Sequence, residues 1–272
     1  MRIVLSNDDG IWAAGLRAMY RALKAAGHDV LPVAPLVEQS ATSSRLTAFD
    51  PLRFKQIDEG DFHGIGIGGT PVDCVKIALT EFYATPDTKP DLIVSGINAG
   101  LNIGFDVLYS GTVAAAREGA LMGIPALAVS RAMRKGCADD PEAVADHAAA
   151  LIDAFDWKIL PNRVLNVNYP PGFPQQSRGL RVCRLSPGPW RIRYVHDTDP
   201  RGRPYLWMSG DIIRHDQTTD QETDSPLLQE GFITVTPLTM DLTDNGLLSA
   251  VMDQFAGQQD RSGASDSQPQ RP

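Results

Sequence analysis

RIVLSNDDGIWAAGLRAMYRALKAAGHDVLPVAP, residues 2–35, opens with a short apolar run that reads as a buried strand. Residues 13–26 then place Leu16, Met19, Tyr20 and Leu23 at helical spacing, with Gly27 as the stop. DVLPVAP, residues 29–35, reads as a second strand. Strand, helix and strand in that order predict a parallel sheet with covering helices.

The alternation continues. Residues 45–68 hold two weaker strand-like runs, a candidate hairpin. In GGTPVDCVKIAL, Thr70 suits an N-cap, Pro71 the first helical position and Asp73 the first turn. Val72, Val75, Leu79 and Phe82 are expected on one buried face. DLIVSGI (91–97), IPALAVS (124–130) and VLNVNYP (164–170) read as strands, and 113–123 and 141–156 as helices. Residues 98–112, NAGLNIGFDVLYSGT, are too glycine-rich for a helix.

Beyond residue 170 proline and glycine cluster, and residues 191–211 alternate like a hairpin or an extended arm. GFITVTPLTMDLT is expected to hold a strand and residues 247–256 a final helix. The low-complexity stretch after 258 reads as disordered. The expected organisation is therefore a core over 1–186, an arm with closing strand and helix over 187–257, and a tail over 258–272.

Hydrophobic residues make up 43% of the 272 and charged residues 21%, enough to build a packed core. The net charge of −8 argues against binding nucleic-acid polymers, which needs a positive field. No run approaches the roughly 20 apolar residues that span a bilayer, and the stretch opening on RIVLS does not read as a secretory signal. Cys74, Cys137 and Cys183 are odd in number and far apart, so neither a zinc site nor a disulfide framework is indicated. The expectation is a cytoplasmic protein.

Open α/β sheets bind ligands at the carboxyl ends of their strands. Three polar loops fall at such ends: Asn7 to Asp9, Glu38 to Ser44, and Asn98 to Thr112. Adjacent carboxylates repel, and a divalent cation with oxygen ligands removes the difficulty. Asp8 and Asp9 supply two such ligands, and Ser40 and Asn98 can add neutral oxygens. A helix cap with a solvated neighbour is the competing reading of the pair. Ser110, Gly111 and Thr112 stand at a helix start, where free N–H groups and the dipole favour an anion; ordinary capping fits them too. Asn102 and Gly104 suit close approach of backbone to a ligand. GLNIG is neither a Walker motif nor GxGxxG. The five histidines are scattered, Cys74 falls on an apolar helix face, and Arg45 and Arg117 are either phosphate contacts or solvated charges.

In order, MRIVLSNDDGI, APLVEQSATSSRLT, GGTPVDCVKIAL, DLIVSGINAGLNIGFDVLYSGTVAAAREGA, LNVNYP, DPRGRPYLWMSGD and GFITVTPL form a specific series. Over roughly residues 1–245 the chain resembles the SurE family, stationary-phase survival proteins that act as 5'/3'-nucleotidases. The resemblance implies a Rossmann-like, mostly parallel α/β fold with a C-terminal oligomerisation extension. It implies one divalent cation per subunit, Mn or Mg, at Asp8, Asp9, Ser40 and Asn98. It points to Asn102, Ser110, Gly111 and Thr112 as the phosphate cradle, with Asp8 and Asp9 as the catalytic pair. The implied substrates are nucleoside 5'-monophosphates, with 3'-nucleotides and short polyphosphate as further ones, and the implied assembly is a homodimer or homotetramer. Arg45, in SSRL, departs from the small or polar residue expected there, which bears on substrate preference. Two rivals are a phosphoacceptor of the receiver type and a non-catalytic nucleotide-binding module. Ser95 and Asn98 are poor acceptors for the first, and phosphate release separates the second.

Overall fold

The computed structural model describes residues 1–133, 140–187, 191–213, 220 and 222–259. In chain order it contains β1 (Arg2–Ser6), α1 (Ala14–Ala25), β2 (Asp29–Pro35), β3 (Phe54–Glu59), β4 (Phe62–Ile67), α2 (Pro71–Ile77), β5 (Leu92–Ala99) and α3 (Gly111–Leu121). β6 (Ala126–Arg131), α4 (Pro141–Ala154), β7 (Arg163–Tyr169), β8 (Leu180–Val182), β9 (Arg191–Thr198) and β10 (Pro204–Ile213) follow. α5 (Asp224–Gln229), β11 (Ile233–Thr239) and α6 (Asn245–Gln259) end the series. The chain divides into two compact units, Met1–Leu238 and a second that begins at Thr239 and carries α6.

Nine strands form one sheet in the order β3-β4-β2-β1-β5-β6-β7-β11-β8. β1 runs parallel to both β2 and β5, and β5, β6 and β7 are mutually parallel. β3 is antiparallel to β4 and makes the expected hairpin at the sheet edge. The central strands are apolar on both faces: Ile3, Val4, Leu5, Leu92, Ile93, Val94, Leu127 and Val129 are all fully buried. That is the pattern of a parallel sheet covered on both sides. α1 packs with α4, and α2 with α3. From β1 the chain crosses one way to β2 and later the other way from β5 to β6. Right-handed crossovers in opposite directions put their helices on opposite faces. The topology therefore opens a crevice at the carboxyl ends of β1 and β5. This is a mostly parallel, Rossmann-like α/β fold.

Local signals explain most element ends. Leu16, Met19, Tyr20 and Leu23 are buried as their spacing requires, and Gly27 takes a left-handed φ of 82° just past α1. Thr70 and Asp73 form a reciprocal capping box, Asp73 N donating to Thr70 Oγ1 at 3.2 Å and Thr70 N to Asp73 Oδ2 at 2.9 Å.

Three features differ from the sequence reading. α2 passes into a π turn over Ala78–Phe82, which rotates the helical face, so Leu79 stays buried while Phe82 is 39% exposed. The glycine-rich stretch contains a short 3-10 helix, Gly104–Leu108. β8 and α5, of 3 and 6 residues, were not anticipated. Cys137 and most of the expected tail lie outside the described residues.

Candidate active site

Three loops meet at the head of β1. Asn7 turns the chain at once: its side chain donates to Gly10 O and accepts from Gly10 N, both at 3.1 Å. This closed turn points Asp8 inward and leaves Asp9 half-buried. The loop after β2 is stitched on by Gln39 N, which donates to Asp8 O at 2.7 Å. The segment after β5 is joined by Ala99 N, which donates to Asp9 Oδ2 at 3.1 Å.

The start of α3 closes on Asp8. The Thr112 hydroxyl donates to Asp8 Oδ1. A Cβ on Gly111 would stand 2.7 Å from Asp8 Cβ, so only glycine lets the helix come this close. Ser110 is the N-cap, its Oγ accepting from Val113 N at 3.0 Å. The positive end of α3 thus already faces one carboxylate, Asp8.

Electrostatically the pair is uncomfortable. Burial pushes Asp8 up to about 6, hydrogen bonding from Thr112 draws it back, and the neighbouring Asp9 charge adds to the rise. Asp9 is also raised, first by burial, against the bond from Ala99; Glu38 raises it further and Arg131 opposes.

The remaining predicted residues are placed as follows. Ser40 is exposed, and its hydroxyl donates to Glu38 Oε1 at 2.7 Å. Asn98 donates through Nδ2 to Gly100 O at 2.9 Å, a bond that does not use its oxygen. Asn102 is buried in an amide network: its N donates to Asn168 Oδ1 (2.8 Å), its Nδ2 to Ser130 Oγ (2.8 Å), and its O accepts from Asn166 and Asn168. Asp8, Gly111 and Thr112 are therefore in direct contact, with Ser110 capping the same helix. Asp9 adjoins Asn98 through Ala99. Asn102 anchors the far end of the loop. Arg45 is exposed, and its carbonyl accepts from Thr70 Oγ1 at 2.6 Å.

Sequence reasoning named Glu38 only as the start of a polar loop, and missed Arg131 and the network of Ser130, Asn166 and Asn168. Arg131 had a readable signal, since it follows the run IPALAVS at a strand's carboxyl end. Asn166 and Asn168 are polar at a spacing of two within a strand, which puts both on one face.

The donors suit a hard divalent cation: two carboxylates with neutral oxygens nearby, and neither thiolate nor imidazole. Among the described residues no cluster of three or more His, Cys, Asp or Glu stands ready for a metal. Such a site would rest on two carboxylates completed by Ser40 and Asn98. The raised Asp8 beside a second carboxylate is the arrangement a cation relieves.

Residues 3–192 match the family described as survival protein SurE. The chain is similar to a 5'-nucleotidase SurE of Nitratidesulfovibrio vulgaris, 50% identical over 246 residues, covering 90% of this chain and 89% of that one. It is similar to a 5'-nucleotidase SurE of Maridesulfovibrio salexigens, 44% identical over 259 residues, covering 94% and 99%. The crystal structure of a SurE protein from Aquifex aeolicus superposes with a TM-score of 0.77 at 32% identity, covering 93% of this chain and 99% of that one.

Proposed function

The chain belongs to the survival protein SurE family, and from that membership and its carboxylate pair, Asp8 buried and Asp9 half-buried, we propose a metal-dependent 5'-nucleotidase. It hydrolyses nucleoside 5'-monophosphates to nucleoside and phosphate, with 3'-nucleotides and short polyphosphate as further substrates. The observation that carries the reading is Asp8, 5% exposed beside Asp9 at the sheet's switch point, with the first turn of α3 closed on it.

Asp8, Asp9, Ser40 and Asn98 hold one divalent cation, Mn or Mg. When bound, it supplies positive charge that neutralises the phosphoryl oxygens. Thr112 fixes the orientation of Asp8 by its hydroxyl bond. Ser110 Oγ already accepts from Val113 N, so its hydrogen remains available to a phosphoryl oxygen. The Gly111 amide, at the first position of α3, has no intrahelical acceptor and points the same way. Asn102 fixes the base of the loop that carries these groups. Asp9, the more exposed carboxylate, takes the proton from the attacking water. The protein assembles as a dimer or tetramer through the β9–β10 hairpin.

The test is phosphate release from a panel of nucleoside monophosphates by dialysed protein, with EDTA and with Mn or Mg restored. Release that depends on added metal is expected. Full activity after chelation would falsify the metal, and no release under any condition would remove the enzyme.

A further inference from the structure

The Gly104–Leu108 turn lies between Asn98 and the α3 cap, and its support comes from a residue 120 positions away. Asp224, the first residue of α5, is fully buried. Its Oδ2 accepts from Gly104 N and its Oδ1 from Ser186 N, both at 2.8 Å. A buried carboxylate persists only where such bonds satisfy it. Gly104 takes a left-handed φ of 51°, so the chain turns sharply at the tether itself. From Gly104 the 3-10 turn runs to Asp106, whose carbonyl accepts from Ser110 N at 3.0 Å. A displacement at Gly104 is thus passed to Ser110 and to the start of α3. Of the metal-side contacts, Gln39 N on Asp8 O lies on another loop, Ala99 N on Asp9 precedes Gly104 on the same connection, and the Thr112 hydroxyl on Asp8 follows at the start of α3.

Resting on the nucleotidase reading, we propose that Asp224 is a positioning residue: it holds Gly104 so that Ser110 and Gly111 meet the substrate phosphate. It touches neither substrate nor cation. Asp224→Asn keeps the shape but turns one acceptor into a donor that faces an N–H.

The experiment compares wild type, Asp224→Asn and Ser186→Ala. Ser186→Ala disturbs the same buried knot, because Ser186 Oγ accepts from Ser225 N and donates to Thr223 Oγ1, both at 3.0 Å, yet it leaves the Gly104 bond in place. The readouts are the Kd for Mn, the Kd for inorganic phosphate with Mn present, and the unfolding midpoint. Asp224→Asn leaves the buried Gly104 N–H without its acceptor and is expected to weaken phosphate on the order of 10- to 100-fold, with a smaller loss of Mn affinity, since Thr112 at the same helix start holds Asp8. Ser186→Ala should lower the midpoint and leave phosphate affinity unchanged. Equal phosphate loss in both variants, or none in Asp224→Asn, overturns the proposal.

If Asp224→Asn does not fold, amide exchange at Gly104 in the wild type decides. Phosphate at ten times its Kd should slow that exchange about tenfold over Mn alone, by linkage, and unchanged exchange overturns the proposal. A wild type that binds Mn and phosphate but hydrolyses no nucleotide sinks the nucleotidase reading alone. One that binds no phosphate sinks both.

Discussion

Asp8 keeps 5% of its surface in contact with solvent and accepts a hydrogen bond from Thr112, 104 residues along the chain. A bond to a charged group is worth about 1.5–3 kcal/mol, and groups that orient a metal ligand are typically worth about 10- to 100-fold in metal affinity or activity. The residues around the pair should therefore separate into grades. Asp8→Asn or Asp9→Asn removes a charge from the cation's ligand set and should abolish Mn binding and nearly all turnover. Thr112→Val keeps the shape and should weaken Mn about 10- to 100-fold. Ser110→Ala removes the α3 cap, at about 1 kcal/mol of stability, and should raise KM for phosphate esters with Mn affinity intact. Calorimetric Mn titration of the four variants reads these grades directly. A Ser110→Ala protein that loses Mn as badly as Asp9→Asn would reverse the assignment of loops to roles.

Among the elements, α4 and β7 carry a titratable contact outside the site. His147 Nδ1 lies 3.0 Å from the Tyr169 hydroxyl, and both rings pack edge-on against Phe173. Burial raises Tyr169, so its hydroxyl keeps its proton. Burial lowers His147 below its ordinary 6.5. Just below pH 6.5 the unfolded chain then binds more protons at this residue than the folded one. Stability at this site rises with pH through that window and is lost as the pH falls through it. Wild type should lose more of its unfolding midpoint between about pH 7 and pH 5 than His147→Gln, which does not titrate there. Parallel midpoint curves for the two would refute this.

Legibility at this scale followed the length and regularity of the pattern. The strands at 2–6 and 29–35, the α1 face and the Thr70–Asp73 cap are local, and the sequence states them openly. Phe82 was misplaced because a π turn breaks the phase that periodicity assumes. Asp8 and Asp9 were legible as a like-charge pair at a strand end. Arg131 obeyed the same rule and was overlooked. The Asp224–Gly104 tether was not legible, since nothing local in either stretch names its partner across 120 positions.

For the whole molecule, the open question is what the β9–β10 hairpin is for. Its strands pair antiparallel with each other, Tyr205 opposite Asp197 and Trp207 opposite Val195, as a sheet of two. Such a ribbon is marginal alone in water. Tyr194, Val195, Leu206, Trp207 and Met208 are nonetheless about half or more exposed, with Trp207 at 68%. Aromatic residues and methionine in that density mark the core of protein interfaces, and soluble homo-oligomers are most often two-fold. The expected occupant is a second copy of the chain. A two-fold arrangement would set the hairpins of two subunits against each other's apolar sides and complete what neither ribbon can bury alone. Deletion of residues 190–212 should then convert a dimeric or tetrameric wild type to a smaller species by light scattering, with Mn binding kept, because the loops around Asp8 and Asp9 lie elsewhere in the chain. Trp207→Asp and Leu206→Asp together should shift the same equilibrium without shortening the ribbon. A wild type that is monomeric at micromolar concentration ends the idea, and a deletion that stays dimeric moves the interface to another surface.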